Sequence, residues 1–445
     1  EFLLQYFITK AQVQFKITVK MPRVQKRKAP ASKSSRSKKK AVNGIESDQP
    51  SGFVLSMGQG DTGQLGQGDE VLERKKPGFV KGIENIQITQ VVAGGMHSLA
   101  LSSTGQVYSW GCNDEGALGR QATQNDDDEW LAKEVELPDD VLIAMISAGD
   151  SHSIALTRTG TVYAWGTYRD MSGQVGLRPD GKKSAPVEIL NLPEDKVTKI
   201  VSGNDHTVAL TESGNVYTWG CADQGQLGRV AGYFSSRGGR RGLQFVLVPR
   251  IVRLRRNTKF KDVFAGSFCT FALAKDSPIV YVWGLNNYGQ LATGDTNSPY
   301  FPKKSQALSD LNTDTDRSIR IASGQHHSIF STVDGKVYSV GRADYGRLGL
   351  GEGATHQNLP AEVVALSDHK IQQVSCGEVV SFAVTEEGQL YSWGMGSCLQ
   401  LGKGDDDDEL SPILVEGKNL VATEHEVLNV EAGGQHTVIL ARKKS

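Results

Sequence analysis

Cysteine, long apolar runs and net charge are all scarce in this 445-residue chain, and each shortage removes a class of protein. Cys112, Cys221, Cys269, Cys376 and Cys398 are odd in number and form no CxxC pair. Neither a disulfide framework nor a zinc site is expected, and a reducing compartment fits. The opening EFLLQYFITKAQVQFKITVK lacks a basic start and is broken by Lys10 and Lys16, which is too soon for a spanning helix or a signal peptide. Met21 is read as the native start, with residues 1–20 upstream of it. The acidic runs at Asp126 and Asp405 lack the spaced ligands and glycine of a calcium loop. GxGxxG-like strings such as GQGDTG at Gly58 lack the strand-glycine-helix setting of a nucleotide site. No nucleophile motif accompanies them, so covalent chemistry, a metal and a cofactor are not expected.

The net charge of −1 conceals a division. Residues 1–40 hold twelve Lys and Arg against Glu1 alone, leaving the rest of the chain acidic. A basic arm on an acidic body suits two partners, a polyanion for the arm and something else for the body. Residues 21–40 have no apolar periodicity, and residues 1–51 read as a disordered basic arm. Within them Arg23, Lys26, Arg27, Lys28, Lys33, Arg36, Lys38, Lys39 and Lys40 form two clusters, the pattern of a bipartite nuclear localisation signal that also suits DNA phosphates. A merely solubilising tail is the alternative.

Glycine, by contrast, is abundant at 50 residues, and it marks a repeat. One signature is GxxH followed by an alternating strand, ending at His97, His152, His206, His327 and His436, with Cys269 and Val380 in two degenerate copies. The other, VYxWGxxxxGQLG, starts at Val107, Val162, Val216, Val280 and Val337, as LYSWG at Leu390, and as VLSMG at Val54. Turns such as SSTGQ and TEEGQ join the two into hairpins. Seven copies of alternating, glycine-punctuated strands predict an all-β fold, a seven-bladed β-propeller with about four antiparallel strands per blade. The chain starts with an orphan second signature and ends with an orphan first one. Pairing them in one blade would close the ring over residues 52–441, leaving 442–445 as a tail.

Tyr and Trp of VYxWG are assigned to the core. The tryptophans of the repeat lie in these strands and none in the GxxH turns, which argues against a chromophore cluster. The repeated histidine is either a structural hydrogen-bonder or a surface contact. The two variable residues of each turn should form a ring on one face, including Asp150, Asp205, His326 and Glu378, none of which the repeat itself requires. One copy is irregular: GTYRDMSGQVGL, from Gly166, closes its loop about two residues later than GCNDEGALG or GCADQGQLG.

The strings GQGDTGQLG, GCNDEGALGR, AGDSHS, SGNDH, GCADQGQLGR, GQHH and GRADYGRLGLGEG resemble the regulator-of-chromosome-condensation family over about residues 52–441. The resemblance implies a nucleotide exchange factor for the small GTPase Ran, bound to chromatin in the nucleus and generating Ran-GTP for nucleocytoplasmic transport and spindle assembly. It also implies that one propeller face docks the GTPase through Asp150, Asp205, His326 or His327, and His436. The long copy matches a β-wedge, Tyr168, Arg169, Asp170, Met171, Ser172, Gly173 and Gln174, that inserts into the GTPase. RVAGYFSSRGGRRGLQF matches a loop whose Arg237, Arg240 and Arg241 reach the nucleosome acidic patch, while the arm meets DNA and a nuclear import receptor. Pro22-Arg23 departs from the family's methylated proline-lysine start. The other reading is a propeller scaffold on chromatin without exchange activity. No groove-reading helix suggests sequence-specific DNA binding.

Overall fold

The computed structural model describes residues 49–120, 129–235, 242–254, 257–314 and 317–444. The basic arm, the Asp126 run, and Arg237, Arg240 and Arg241 lie outside the described residues.

Each pair of signatures folds as a hairpin. In the first, His97 lies opposite Gly111 and Leu101 opposite Val107. A strand before the GxxH turn and another after the VYxWG strand complete each sheet, as in Ile143–Ala148, His152–Thr157, Val162–Gly166 and Lys183–Leu190. Seven such four-stranded antiparallel sheets make a seven-bladed β-propeller. The blades are numbered here by their GxxH turns, from blade one at His97 to blade seven at His436. The strands preceding the turns line an axial channel of about 320 Å³.

The orphan signatures meet as expected. Blade seven takes His425–Ala432 and His436–Lys443 from the end of the chain, and Phe53–Gln59 and Glu73–Phe79 from its start. Phe53 pairs with Ala441 and Gly58 with His436. This seam leaves no edge where the ring would otherwise open. The last strand runs to Lys443, beyond the predicted end of the ring, with Arg442 ion-paired to Glu426 on the adjacent strand.

The apolar mass sits between blades. Blades one and two share Leu99, Val107, Ile146 and Trp165; blades five and six share Ile329, Val337, Val374 and Trp393. Trp110, Trp165, Trp219, Trp283 and Trp393 are fully buried, and truncating a side chain of that size in a core costs about 3–5 kcal/mol. Val340 and Met57 fill the tryptophan position in blades five and seven. The tyrosines of the motif differ from the expectation. Tyr108 is buried, but Tyr163, Tyr217, Tyr281, Tyr338 and Tyr391 are only half-buried. Two residues from the tryptophan position, each of these tyrosines shares its face of the strand but lies partly exposed beside it, where Tyr391 Oη meets His369 Nε2 at 2.9 Å.

The GxxH motif is explained by a bridge to the next blade wherever the histidine is kept. His97 Nε2 lies 2.8 Å from Ser153 Oγ, His206 Nε2 3.0 Å from Thr270 Oγ1, and His327 Nε2 2.9 Å from Ser381 Oγ. In the degenerate fourth copy Cys269 Sγ still meets Ser323 Oγ at 3.4 Å. The imidazole folds back over the first glycine of its own turn. A Cβ on Gly149 would collide with the His152 ring and with the carbonyl oxygen of Gly203 in the next blade. Crowding, not left-handed backbone, therefore demands glycine there.

Candidate functional site

The variable turn residues do converge, because backbone bonds stitch successive turns together around the axis. Gly434 N–H donates to Gly95 O at 2.9 Å, Asp150 N–H to Asn204 O at 2.7 Å, and Asn204 N–H to Ser267 O at 3.0 Å. Each turn is thereby fixed relative to its neighbours, and the side chains it presents are fixed with it.

The irregular connection of blade two forms a separate two-stranded hairpin, Tyr168–Asp170 paired with Gly173–Gly176. Tyr168 is its root. It is fully buried, its hydroxyl 2.9 Å from Thr207 Oγ1 and its ring 4.4 Å from that of His152. Met171 is its tip, 86% exposed. The hairpin replaces the loop that elsewhere caps a tryptophan of the next blade. Trp165 donates to Ala117 O at 2.7 Å and Trp283 to Gln226 O at 2.8 Å, whereas Trp219 has no such carbonyl bond among the described residues.

Carboxylates surround this hairpin and hold its backbone. Asp205 Oδ1 accepts from Arg169 N–H at 2.7 Å, Asp223 Oδ2 from Met171 N–H at 3.3 Å, and Asp170 Oδ1 from Ser172 N–H at 2.7 Å. From the opposite side, Glu115 accepts from Arg169 Nη1 at 2.9 Å and from Gln174 Nε2 at 2.6 Å. So many acids near one arginine repel each other. Burial, with the nearby charge of Asp150, pushes the Asp205 carboxyl well above the usual range, and burial also raises Asp223. Asp150 itself is half-buried and accepts from Ser151 Oγ at 3.3 Å.

The candidate histidines separate into two kinds. His327 and His436 are fully buried bridges between blades, His436 Nε2 lying 2.7 Å from Ser98 Oγ. His326 occupies the variable position of its turn, 6% exposed, against the Tyr288 ring at 5.0 Å. Arg342 lies over the same ring at 5.1 Å. Burial, then the charges of Arg347 and Arg342, lower the His326 pKa to about 4. Among the described residues no three His, Cys, Asp or Glu side chains group as metal ligands.

This ring of blade-bridging histidines and capped tryptophans matches the family model described as the RCC1-like domain over residues 53–439. The chain belongs to that family. The human regulator of chromosome condensation is 46% identical over 430 residues, covering 95% of this chain and 98% of the human protein. The guanine nucleotide exchange factor SRM1 of Saccharomyces cerevisiae is 32% identical over 400 residues, covering 80% of this chain and 79% of SRM1. Prp20p of Saccharomyces cerevisiae, solved by crystallography and described with its binding to Gsp1p and histones, superposes with a TM-score of 0.79 at 31% identity, covering 90% of this chain and 93% of that one.

Glu115, Asp223, Tyr288 and Arg342 are not marked by the repeat pattern. All four lie in the loops after the VYxWG strands, which the repeat pattern marks only as glycine punctuation. The available signal was variation: the position of Glu115 holds Gln224, Tyr288, Tyr345, Cys398 and Thr62 in other copies.

Proposed function

We propose that the protein is a guanine nucleotide exchange factor for the small GTPase Ran, docking it on the turn face and using the hairpin as the wedge. The observation that carries this reading is the hairpin itself. Its exposed tip is held out from a carboxylate-lined face by bonds the propeller does not need for closure. The name of the yeast relative, a guanine nucleotide exchange factor, agrees with it.

The implied chemistry is non-covalent. A GTPase holds its nucleotide through a phosphate-cradling loop and Mg²⁺. A factor that prefers the nucleotide-free form must, by linkage, weaken nucleotide binding as much as nucleotide weakens the factor. An ordered wedge entering the loops that grip phosphate supplies that antagonism at small entropic cost, because it is ordered beforehand. Asp150 and Asp205 would act at this face, His326 through the Tyr288 ring it packs against, and His327 and His436 through the blades they join. Arg237, Arg240 and Arg241, with the basic arm, are proposed to hold the protein on nucleosomes through the histone acidic patch and DNA phosphates. The arm also addresses it to the nucleus through an import receptor.

Release of labelled GDP from Ran tests the central claim. The full chain should accelerate release, and a chain with Arg169–Gln174 shortened to a two-residue turn should not. A folded full chain that binds Ran without accelerating release would reduce the protein to a scaffold.

A further inference from the structure

The hairpin is a lone two-stranded sheet, and such sheets are marginal in water without support from elsewhere. Its posture is therefore set by what grips it. The blade-three side supplies Asp205 and Asp223, which hold two backbone amides of the outgoing strand and the tip. The blade-one side supplies Glu115 from the loop GCNDEG. One oxygen takes Arg169 Nη1 from the outgoing strand at 2.9 Å, and the other takes Gln174 Nε2 from the returning strand at 2.6 Å. Glu115 thus spans both strands with a single side chain and pulls against the blade-three carboxylates.

Nothing in the propeller requires this acid. The corresponding positions in blades three to seven hold Gln224, Tyr288, Tyr345, Cys398 and Thr62. The side chains of Glu115 and Arg169 are 27% and 25% exposed, a setting in which an ion pair adds little to stability. Arg169 is the only basic residue in the hairpin, and Asp170, Asp205 and Asp223 lie close by. Without Glu115 its guanidinium is drawn toward blade three and the returning strand loses its anchor, so the wedge leans away from blade one.

We infer that Glu115 is a positioning residue for exchange, a strut between blades that holds the wedge upright without touching the nucleotide. This rests on the exchange reading above and extends it to a residue outside the hairpin and outside the GxxH turns.

The experiment measures GDP release from Ran with the full chain, with Glu115→Gln, Glu115→Ala and Arg169→Ala, and with the double variant. Amide hydrogen exchange of Met171 and Ser172 is followed in the same proteins without Ran. Glu115→Ala should lower the maximal release rate about tenfold or more, as expected when a reacting geometry is loosened. The concentration giving half-maximal release should change much less. Glu115→Gln, which keeps an acceptor for Gln174, should fall between. Adding Glu115→Ala to Arg169→Ala should cost less than Glu115→Ala alone, because the Arg169 contact is already gone and only the Gln174 contact is left to lose. Met171 and Ser172 should exchange faster while the melting temperature stays within about 2 °C. Additive losses in the double variant would mean that Glu115 meets the GTPase directly, and unchanged exchange at the tip would mean that it is no strut. A wild-type chain that fails to release GDP overturns the exchange reading instead, and the tip measurement still decides the strut.

Discussion

His436 Nε2 and Ser98 Oγ lie 2.7 Å apart, although 338 residues separate them in the chain. This bond joins the last blade to the first, and both residues are fully buried. His436→Ala leaves the Ser98 hydroxyl without its partner and a void beside it, so unfolding free energy should fall by about 2–3 kcal/mol. Ser98→Ala alone should cost less, and the pair together little more than His436→Ala, a coupling readable by denaturant titration. Additive losses would show that the bond contributes nothing at the seam.

Acid should attack the same bridges. Burial lowers the pKa of His97 to about 4 and of His206 and His436 to about 3, and holds His152 and His327 well below their ordinary value. A histidine with a depressed native pKa contributes stability that is present above about pH 6.5 and is lost as pH falls toward the native value. Each contributes a slope of about 1.4 kcal/mol per pH unit below that point. The melting temperature should therefore drop steeply between about pH 6.5 and 4.5, and His97→Gln should flatten the slope by about one proton. A flat profile through that interval would contradict the burial of these rings.

Glu431 should act in the opposite sense. It lines the axial channel, where Ser375 Oγ donates to it at 3.4 Å, and burial raises its pKa to about 7. A carboxyl with a raised native pKa loses stabilisation as pH rises through that value. Glu431→Gln should be nearly neutral at pH 5 and stabilising by about 1–3 kcal/mol at pH 8. Equal effects at the two pH values would place an ionised Glu431 in the channel throughout.

The ring was legible in the sequence because it is built from what repeats. Trp165 and His152 recur with fixed spacing, and so do the glycines that let them pack, so seven blades and the seam between Phe53 and Ala441 follow from counting. The site departs from the repeat, and there the reading thinned. Tyr168 belonged to the expected wedge, yet only the fold makes it the buried root and Met171 the tip. Glu115 and Asp223 reach the hairpin from different blades, an adjacency that depends on how segments 52 to 59 residues apart in sequence are folded together. His326 and His327 could not be told apart as neighbours in GQHH; the fold starts the strand at His327, which bridges to Ser381, and leaves His326 in the turn against the Tyr288 ring.

Asp205 allows position and charge to be separated. Its Oδ1 holds the Arg169 amide at 2.7 Å, while burial and Asp150 already favour its neutral form. Asparagine keeps an acceptor oxygen at that point and removes the ionisation that burial opposes. If Asp205 serves by holding the hairpin, Asp205→Asn should release GDP from Ran within about threefold of wild type, whereas Asp205→Ala should lose about tenfold or more. Thermal stability at neutral pH should rise slightly in the asparagine variant, because its side chain is neutral without the proton uptake that a buried carboxyl requires. An equal, large loss in both variants would instead assign the carboxylate charge to a direct contact with the GTPase, and the wedge would then owe its posture to Glu115, Asp223 and the buried ring of Tyr168.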